Sequence, residues 1–168
     1  ARKVCLNESS TSRHLNYLEK TKILESMHDG NMKKFKINKK EVPRIFPIFD
    51  DAKLEKLPLL RKNAIKSYIE NTAKKPSFLI VFGSTAKGIY KETSDIDLLE
   101  IVPIKKDTKE TIKNVEAQTG MHLQIFQMTE QDFEKELKEK ADKVVQSAIK
   151  TGFPVYNQKS FYEMTLNE

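Results

Sequence analysis

The chain has 168 residues, 38% of them hydrophobic and 32% charged, with a formal net charge of +6, three histidines and one cysteine. That length suits one ordinary domain, or one domain with a small added module, and the balance fits a soluble, helix-rich globular protein rather than a disordered one. No apolar run reaches the roughly 18 residues that a membrane span needs, and the lone Cys5 excludes both a disulfide framework and a Cys/His metal cluster, which points to a reducing cytoplasm.

The first residue is Ala1, with neither an initiator methionine nor a signal segment, so further residues are expected upstream. Charge divides the chain. Residues 1–40 hold ten Lys/Arg against four Asp/Glu, whereas residues 41–168 hold twenty of each. A basic module therefore precedes a neutral one. Concentrated positive charge is the footprint of a polyanion, nucleic acid or an anionic membrane surface, with a solvated basic face as the plain alternative.

In chain order, Thr11, Leu15 and Leu18 fall at i, i+4 and i+7, with Ser9 or Asn7 as N-cap, which predicts an amphipathic helix of ten to twelve residues. Its polar face carries Ser10, Ser12, Arg13, Asn16 and Tyr17, side chains suited to phosphates and base edges. Asp29-Gly30-Asn31 is hairpin-turn chemistry between two short strands, and the returning strand carries Lys33, Lys34 and Lys36. The stretch SSTSRHLNYLEKTKILES resembles the recognition helix and following strand of winged helix-turn-helix domains. A complete domain of that kind has two earlier helices, and here only Ala1 to Leu6 precede, so residues 1–40 read as a partial module that takes duplex DNA as its partner.

Residues 41–76 read as a connection: a turn-rich linker in EVPRIFPIFDD, then a helix from Leu54 to Asn71 with Leu54, Leu57, Leu60, Ala64 and Tyr68 on its inner side. From residue 77 to 168, strands are predicted at Phe78–Phe82, Ile96–Ile101 and Leu123–Met128. Helices are predicted near 106–118, 130–140 and 141–151. The fold class is α+β, a small mixed sheet packed with helices.

The chemistry concentrates in FGSTAKGIYKETSDIDLLEI. Asp95 and Asp97 are two residues apart, so on a strand they share a face and repel unless a cation lies between them. Gly83 and Ser84 follow an apolar strand and precede a short helix, where a glycine backbone and free amides can approach a phosphate. Ten residues between Ser84 and Asp95 suffice to bring the second strand beside the first. Two carboxylates facing a phosphate turn are what a magnesium ion uses, since it prefers a few carboxylates together with phosphate oxygens. His14, His28 and His122 pair with no nucleophile at a suggestive spacing.

This pattern, Gly83-Ser84 followed by Asp95-Ile96-Asp97, resembles the signature of the polymerase-beta-like nucleotidyltransferase superfamily, above all its minimal prokaryotic members, over about residues 78–157. The resemblance implies transfer of a nucleoside monophosphate from ATP or another triphosphate to a hydroxyl. It makes Asp95 and Asp97 catalytic ligands of Mg2+ or Mn2+, with Gly83, Ser84, Lys87 and Ser94 on the nucleotide. Lys87 stands where many members carry arginine and lacks its planar fork. Active members hold a third carboxylate on a later strand, and here Gln124 occupies that position; Glu100 lies an odd number of residues from Asp97 and faces the other side. A helical HEPN-type toxin is a partner of some members, which makes an antitoxin role one expectation, and a homodimer is compatible with it. Two functions follow: a nucleotidyltransferase with a DNA-targeting module, or a DNA-binding regulator whose catalytically weak domain senses a nucleotide.

Overall fold

A computed structural model describes residues 7–166, and the chain divides into two compact units, 1–45 and 46–168.

In the first unit, helix α1 (Glu8–Lys20) is capped by Asn7, whose side chain accepts the Ser10 N–H. Strands β1 (Leu24–Asp29) and β2 (Met32–Ile37) pair antiparallel, with Asp29 opposite Met32. The two-residue turn places Gly30 at φ +58 in its first central position, the conformation that makes glycine favourable in a type II′ hairpin. Leu15, Leu18, Leu24 and Phe35 are half-buried, and among the described residues of this unit Val42 alone is fully buried.

Helix α2 (Val42–Glu55) corrects the reading of EVPRIFPIFDD as a linker. Pro43 lies in the first turn, where the missing N–H would have had no partner, so only Pro47 removes a helical hydrogen bond. From Phe46 onward α2 belongs to the second unit, and there Phe46, Asp50 and Lys53 repeat at helical spacing and engage that same unit's final helix and strand: Tyr162 donates to the buried Asp50 carboxylate, Phe46 packs edge-on against Tyr162 at 5.5 Å, and Lys53 lies over the Phe153 ring.

The second unit is built on a four-stranded sheet. It comprises α3 (Leu59–Asn71), β3 (Phe78–Phe82), α4 (Gly83–Lys87), β4 (Ile96–Val102), α5 (Lys109–Thr119), β5 (Leu123–Thr129), α6 (Glu130–Glu139), α7 (Lys143–Thr151), β6 (Phe153–Tyr156) and α8 (Gln158–Leu166). The strand order is β5-β4-β3-β6, with β4 and β5 parallel and the other pairs antiparallel. The sheet is mixed, as the sequence suggests. Alternation splits its side chains into two cores. Leu79, Val81, Ile96 and Leu98 pack with Ala64, Ile65, Tyr68 and Val115 under α3 and α5, whereas Ile80, Phe82, Leu99 and Ile101 pack with Phe133, Val145, Ala148 and Phe161 under α6, α7 and α8.

Two details depart from the sequence reading. The buried stripe of α3 is Arg61, Ala64, Ile65 and Tyr68, while Leu60 is 57% exposed. The inward face is rotated by about one position, because an arginine finds partners inside that a leucine would not. Strand β6 and helix α8 were not foreseen. Four residues containing Pro154 give a weak strand signal, and the position is tolerable because β6 is an edge strand.

Candidate functional site

Antiparallel pairing of β3 with β4 sets Phe82 opposite Asp97, so Gly83, the next residue, falls directly against the Asp97 carboxyl. A Cβ added at Gly83 would overlap Asp97 Oδ2 and lie 2.9 Å from its Cγ, and Gly83 also has φ +64. Both the space and the backbone demand glycine. Asp95 precedes β4 by one residue and is exposed, while Asp97 is half-buried. Parallel pairing of β4 with β5 places Gln124 in register with Asp97, exposed on the same face of the neighbouring strand, about 4.8 Å away across the sheet.

The five-residue α4 buries Thr85, keeps Ser84 half-buried and leaves Lys87 exposed, and it ends at Gly88, φ +69. Ser94 closes the following turn: its hydroxyl accepts the Lys91 N–H at 2.9 Å. The structure thus brings Gly83, Ser84, Asp95, Asp97 and Gln124 to one end of the sheet.

Sequence reasoning missed Arg61. The residue is 3% exposed, and its guanidinium donates to Thr85 Oγ1 at 3.0 Å, to the Lys91 and Ser94 carbonyls at 2.8 Å each and to the Asp95 carbonyl at 3.5 Å; it also stacks 4.3 Å from the Tyr90 ring centroid. Burial pulls its pKa below the ordinary value, while Tyr90 and Asp95 act in the opposite sense. The signal was present: Arg61, Ala64, Ile65 and Tyr68 fall at i, i+3, i+4 and i+7, a helical stripe with one cation inside it.

Burial, and then the charge of Asp95, push the Asp97 carboxyl above its ordinary value. Neither carboxylate has a hydrogen-bond or ion-pair partner among the described side chains, and no cluster of three His, Cys, Asp or Glu occurs among the described residues. Two unneutralised hard oxygen donors fit a divalent cation, and the third position offers a neutral amide in place of an acid. Glu100 is on the opposite face. It is fully buried, accepts from Tyr68 Oη at 3.2 Å and Gln127 Nε2 at 2.7 Å, and has the Lys106 ammonium 3.0 Å away. His122 lies 3.5 Å from Glu116 and touches no nucleophile.

In the first unit, Ser12, Arg13, Asn16 and Tyr17 are exposed along α1, with Ser10 half-buried. The hairpin lysines are each matched by an acid: Lys33 with Glu19, Lys34 with Asp29 and Lys36 with Glu25. Lys33 also donates to Asn16 at 3.5 Å.

Among the described residues, no helix is long and apolar enough to cross a membrane. No curated protein matches the chain. Among solved structures, the chain is similar to a toxin–antitoxin complex with AMP-PNP, at 17% identity and a TM-score of 0.47, covering 62% of this chain and 81% of that one. It is similar also to two mutants of the toxin–antitoxin pair MntA-HpeT, at 14% and 16% identity with TM-scores of 0.47 and 0.45, covering 62% and 63% of this chain and 81% and 80% of those. The family model described as polymerase beta, nucleotidyltransferase matches residues 63–161, which take in the whole turn-and-aspartate site, and the chain belongs to that family.

Proposed function

We propose that the second unit binds a nucleoside triphosphate, ATP in the simplest case, together with Mg2+ at Asp95 and Asp97, and transfers its nucleoside monophosphate to a hydroxyl. The observation that carries this reading is the Asp97 carboxyl held against Gly83, beside a like-charged neighbour and without an ion-pair partner among the described residues. Gly83 and Ser84 lie against the phosphates, with Lys87 and Ser94 at the rim. A divalent cation there neutralises charge on the triphosphate and lowers the pKa of an attacking hydroxyl. The chain's own part is to hold an in-line geometry. The exposed Leu59, Leu60 and Ile89, near the Arg61-tethered segment, suit an acceptor carried on a protein surface, such as a helical HEPN-type toxin, better than a small polar acceptor.

Gln124 favours the second reading, in which binding outlasts turnover and the domain senses a nucleotide. A neutral amide ligates weakly and cannot serve as a base at neutral pH. The test is transfer of label from ATP in magnesium and cell extract, comparing the protein with Gln124→Asp. The aspartate should raise transfer by about 10²- to 10⁴-fold, the range of a positioned base. Brisk transfer by the unmodified protein, lost in Gln124→Asp, would contradict the assignment of that position.

For the first unit we propose duplex DNA binding in the manner of a partial winged helix, with Arg13 and Asn16 at base edges, Ser10 and Ser12 beside them, and Lys33, Lys34 and Lys36 on phosphates. The acids paired with these lysines reduce the charge they offer. Replacing all three lysines should weaken binding to every sequence and flatten its salt dependence by a log-log slope of about 0.9 per lost contact; unchanged binding at each salt concentration would show that the hairpin is not a wing.

A further inference from the structure

Residues 88–95 join α4 to β4 without helix or strand, and they end on Asp95. Their other hydrogen bonds are local: Ile89 N–H to the Ser84 carbonyl, and the Lys91–Ser94 turn closed by backbone and by the Ser94 hydroxyl. Arg61 is the tie to the rest of the unit. It is the only arginine buried among the described residues, and one guanidinium reaches Thr85 in α4, three successive points of the segment at Lys91, Ser94 and Asp95, and the face of Tyr90. It therefore touches the phosphate-turn helix and the base of the aspartate pair at once.

We infer that Arg61 is a positioning residue, which fixes residues 85–95 so that the Gly83-Ser84 turn and the Asp95/Asp97 pair face each other before a ligand arrives. This rests on the nucleotide-binding reading proposed above. The chemistry is specific to a guanidinium: its planar fork of five donors can serve a hydroxyl and several carbonyls in one plane while its face stacks on a ring, and a lysine ammonium cannot. Without that fork the segment's ordering entropy falls on the binding step, so the ligand must supply it. Arg61 touches neither carboxylate oxygen nor the space in front of them. Its charge acts on Asp95 without a hydrogen bond or ion pair to the carboxylate, and the rest of its effect is exerted through backbone.

The test is titration of ATP with and without magnesium into the full chain and into Arg61→Lys, Arg61→Ala and Tyr90→Ala, at a temperature where circular dichroism shows each folded, with amide hydrogen exchange read over residues 85–95. In Arg61→Lys the magnesium-dependent affinity should fall about tenfold or more, the loss expected for one or two charge-assisted hydrogen bonds, with faster exchange over the segment. Tyr90→Ala should weaken binding less, and millimolar guanidinium should restore binding to Arg61→Ala where ammonium does not. A purely structural arginine would lower the unfolding temperature and leave the folded protein's affinity unchanged. Should Arg61→Ala fail to fold, Arg61→Lys and Tyr90→Ala decide. Wild-type affinity in both of these overturns the inference, whereas absence of magnesium-dependent binding in the unmodified chain overturns the functional reading beneath it.

Discussion

At one end of β4, Glu100 is fully buried and surrounded by Tyr68, Gln127 and Lys106, whereas at the other end Asp95 and Asp97 stand together with no hydrogen-bond or ion-pair partner among the described side chains, and only the more distant charge of Arg61 acts on Asp95. Asp97 and Glu100 lie on the same strand, three residues apart and on opposite faces. The difference separates an acid that belongs to the fold from a pair held for something else. The fold offsets the Glu100 charge with an ammonium beside Oε1, which accepts no hydrogen bond, and with two neutral donors on Oε2, so the buried charge is compensated mainly by ion pairing on one side and hydrogen bonding on the other. Asp97 is half-buried beside a like charge, a cost the fold carries uncompensated.

The largest effect expected from breaking this contrast is on stability at the Glu100 end. Glu100→Ala removes the counter-charge of Lys106, which keeps only the Lys74 carbonyl, and the shared acceptor of the Tyr68 hydroxyl and the Gln127 amide N–H, so urea unfolding should show a loss of about 3–5 kcal/mol. A loss under about 1 kcal/mol would mean that water reaches the network and that it is not buried in solution. The Tyr68 hydroxyl, held above its ordinary value by burial and by Glu100's charge, should also begin to titrate earlier in this variant, as ultraviolet absorbance at high pH would record.

Next in size is Gly83→Ala. The added methyl meets Asp97 and the backbone sits at positive φ, so stability should fall by about 1–3 kcal/mol and magnesium-dependent nucleotide binding should be lost. Gly30→Ala, with positive φ but open space around it, separates the two causes: it should cost about 1 kcal/mol and leave nucleotide binding alone.

The smallest effect is a pH dependence. Because the folded Asp97 carboxyl titrates above its ordinary value of 3.8, the folded state binds that proton more tightly than the unfolded chain. Stability contributed by this group is present below about 3.8 and is lost as pH rises through the folded pKa. Asp97→Asn should remove that falling limb, and magnesium should offset it in the unmodified protein. A stability profile with the same slope in both proteins would contradict the uncompensated charge.

Much of this was legible in the sequence, for a physical reason. Asp-x-Asp at the head of an apolar strand and Gly-Ser at the end of another are local patterns, and the ten residues between them leave little freedom in how the strands meet. Gln124 was placed by counting along a strand, and parallel register puts it beside Asp97. Three features were not legible. Helix α2 hid behind two prolines, of which the first costs nothing in an opening turn. Strand β6 is four residues long and holds a proline that only an edge position admits. Arg61 is hidden because apolar periodicity points to Leu60 as the inward residue, and the partners that hold the arginine inside are mostly carbonyls, which carry no sequence signature.

The central claim is that Asp95 and Asp97 are held unpaired for a cation that accompanies a nucleotide. It is tested most directly by calorimetric titration of ATP with and without magnesium into the unmodified chain, Asp95→Asn and Asp97→Asn, alongside thermal unfolding of each. Magnesium-dependent binding should disappear in both variants while their unfolding temperatures stay equal to or above that of the parent, because each change relieves like-charge repulsion. Magnesium-dependent binding that persists in both variants, or variants that unfold at clearly lower temperature, would contradict it.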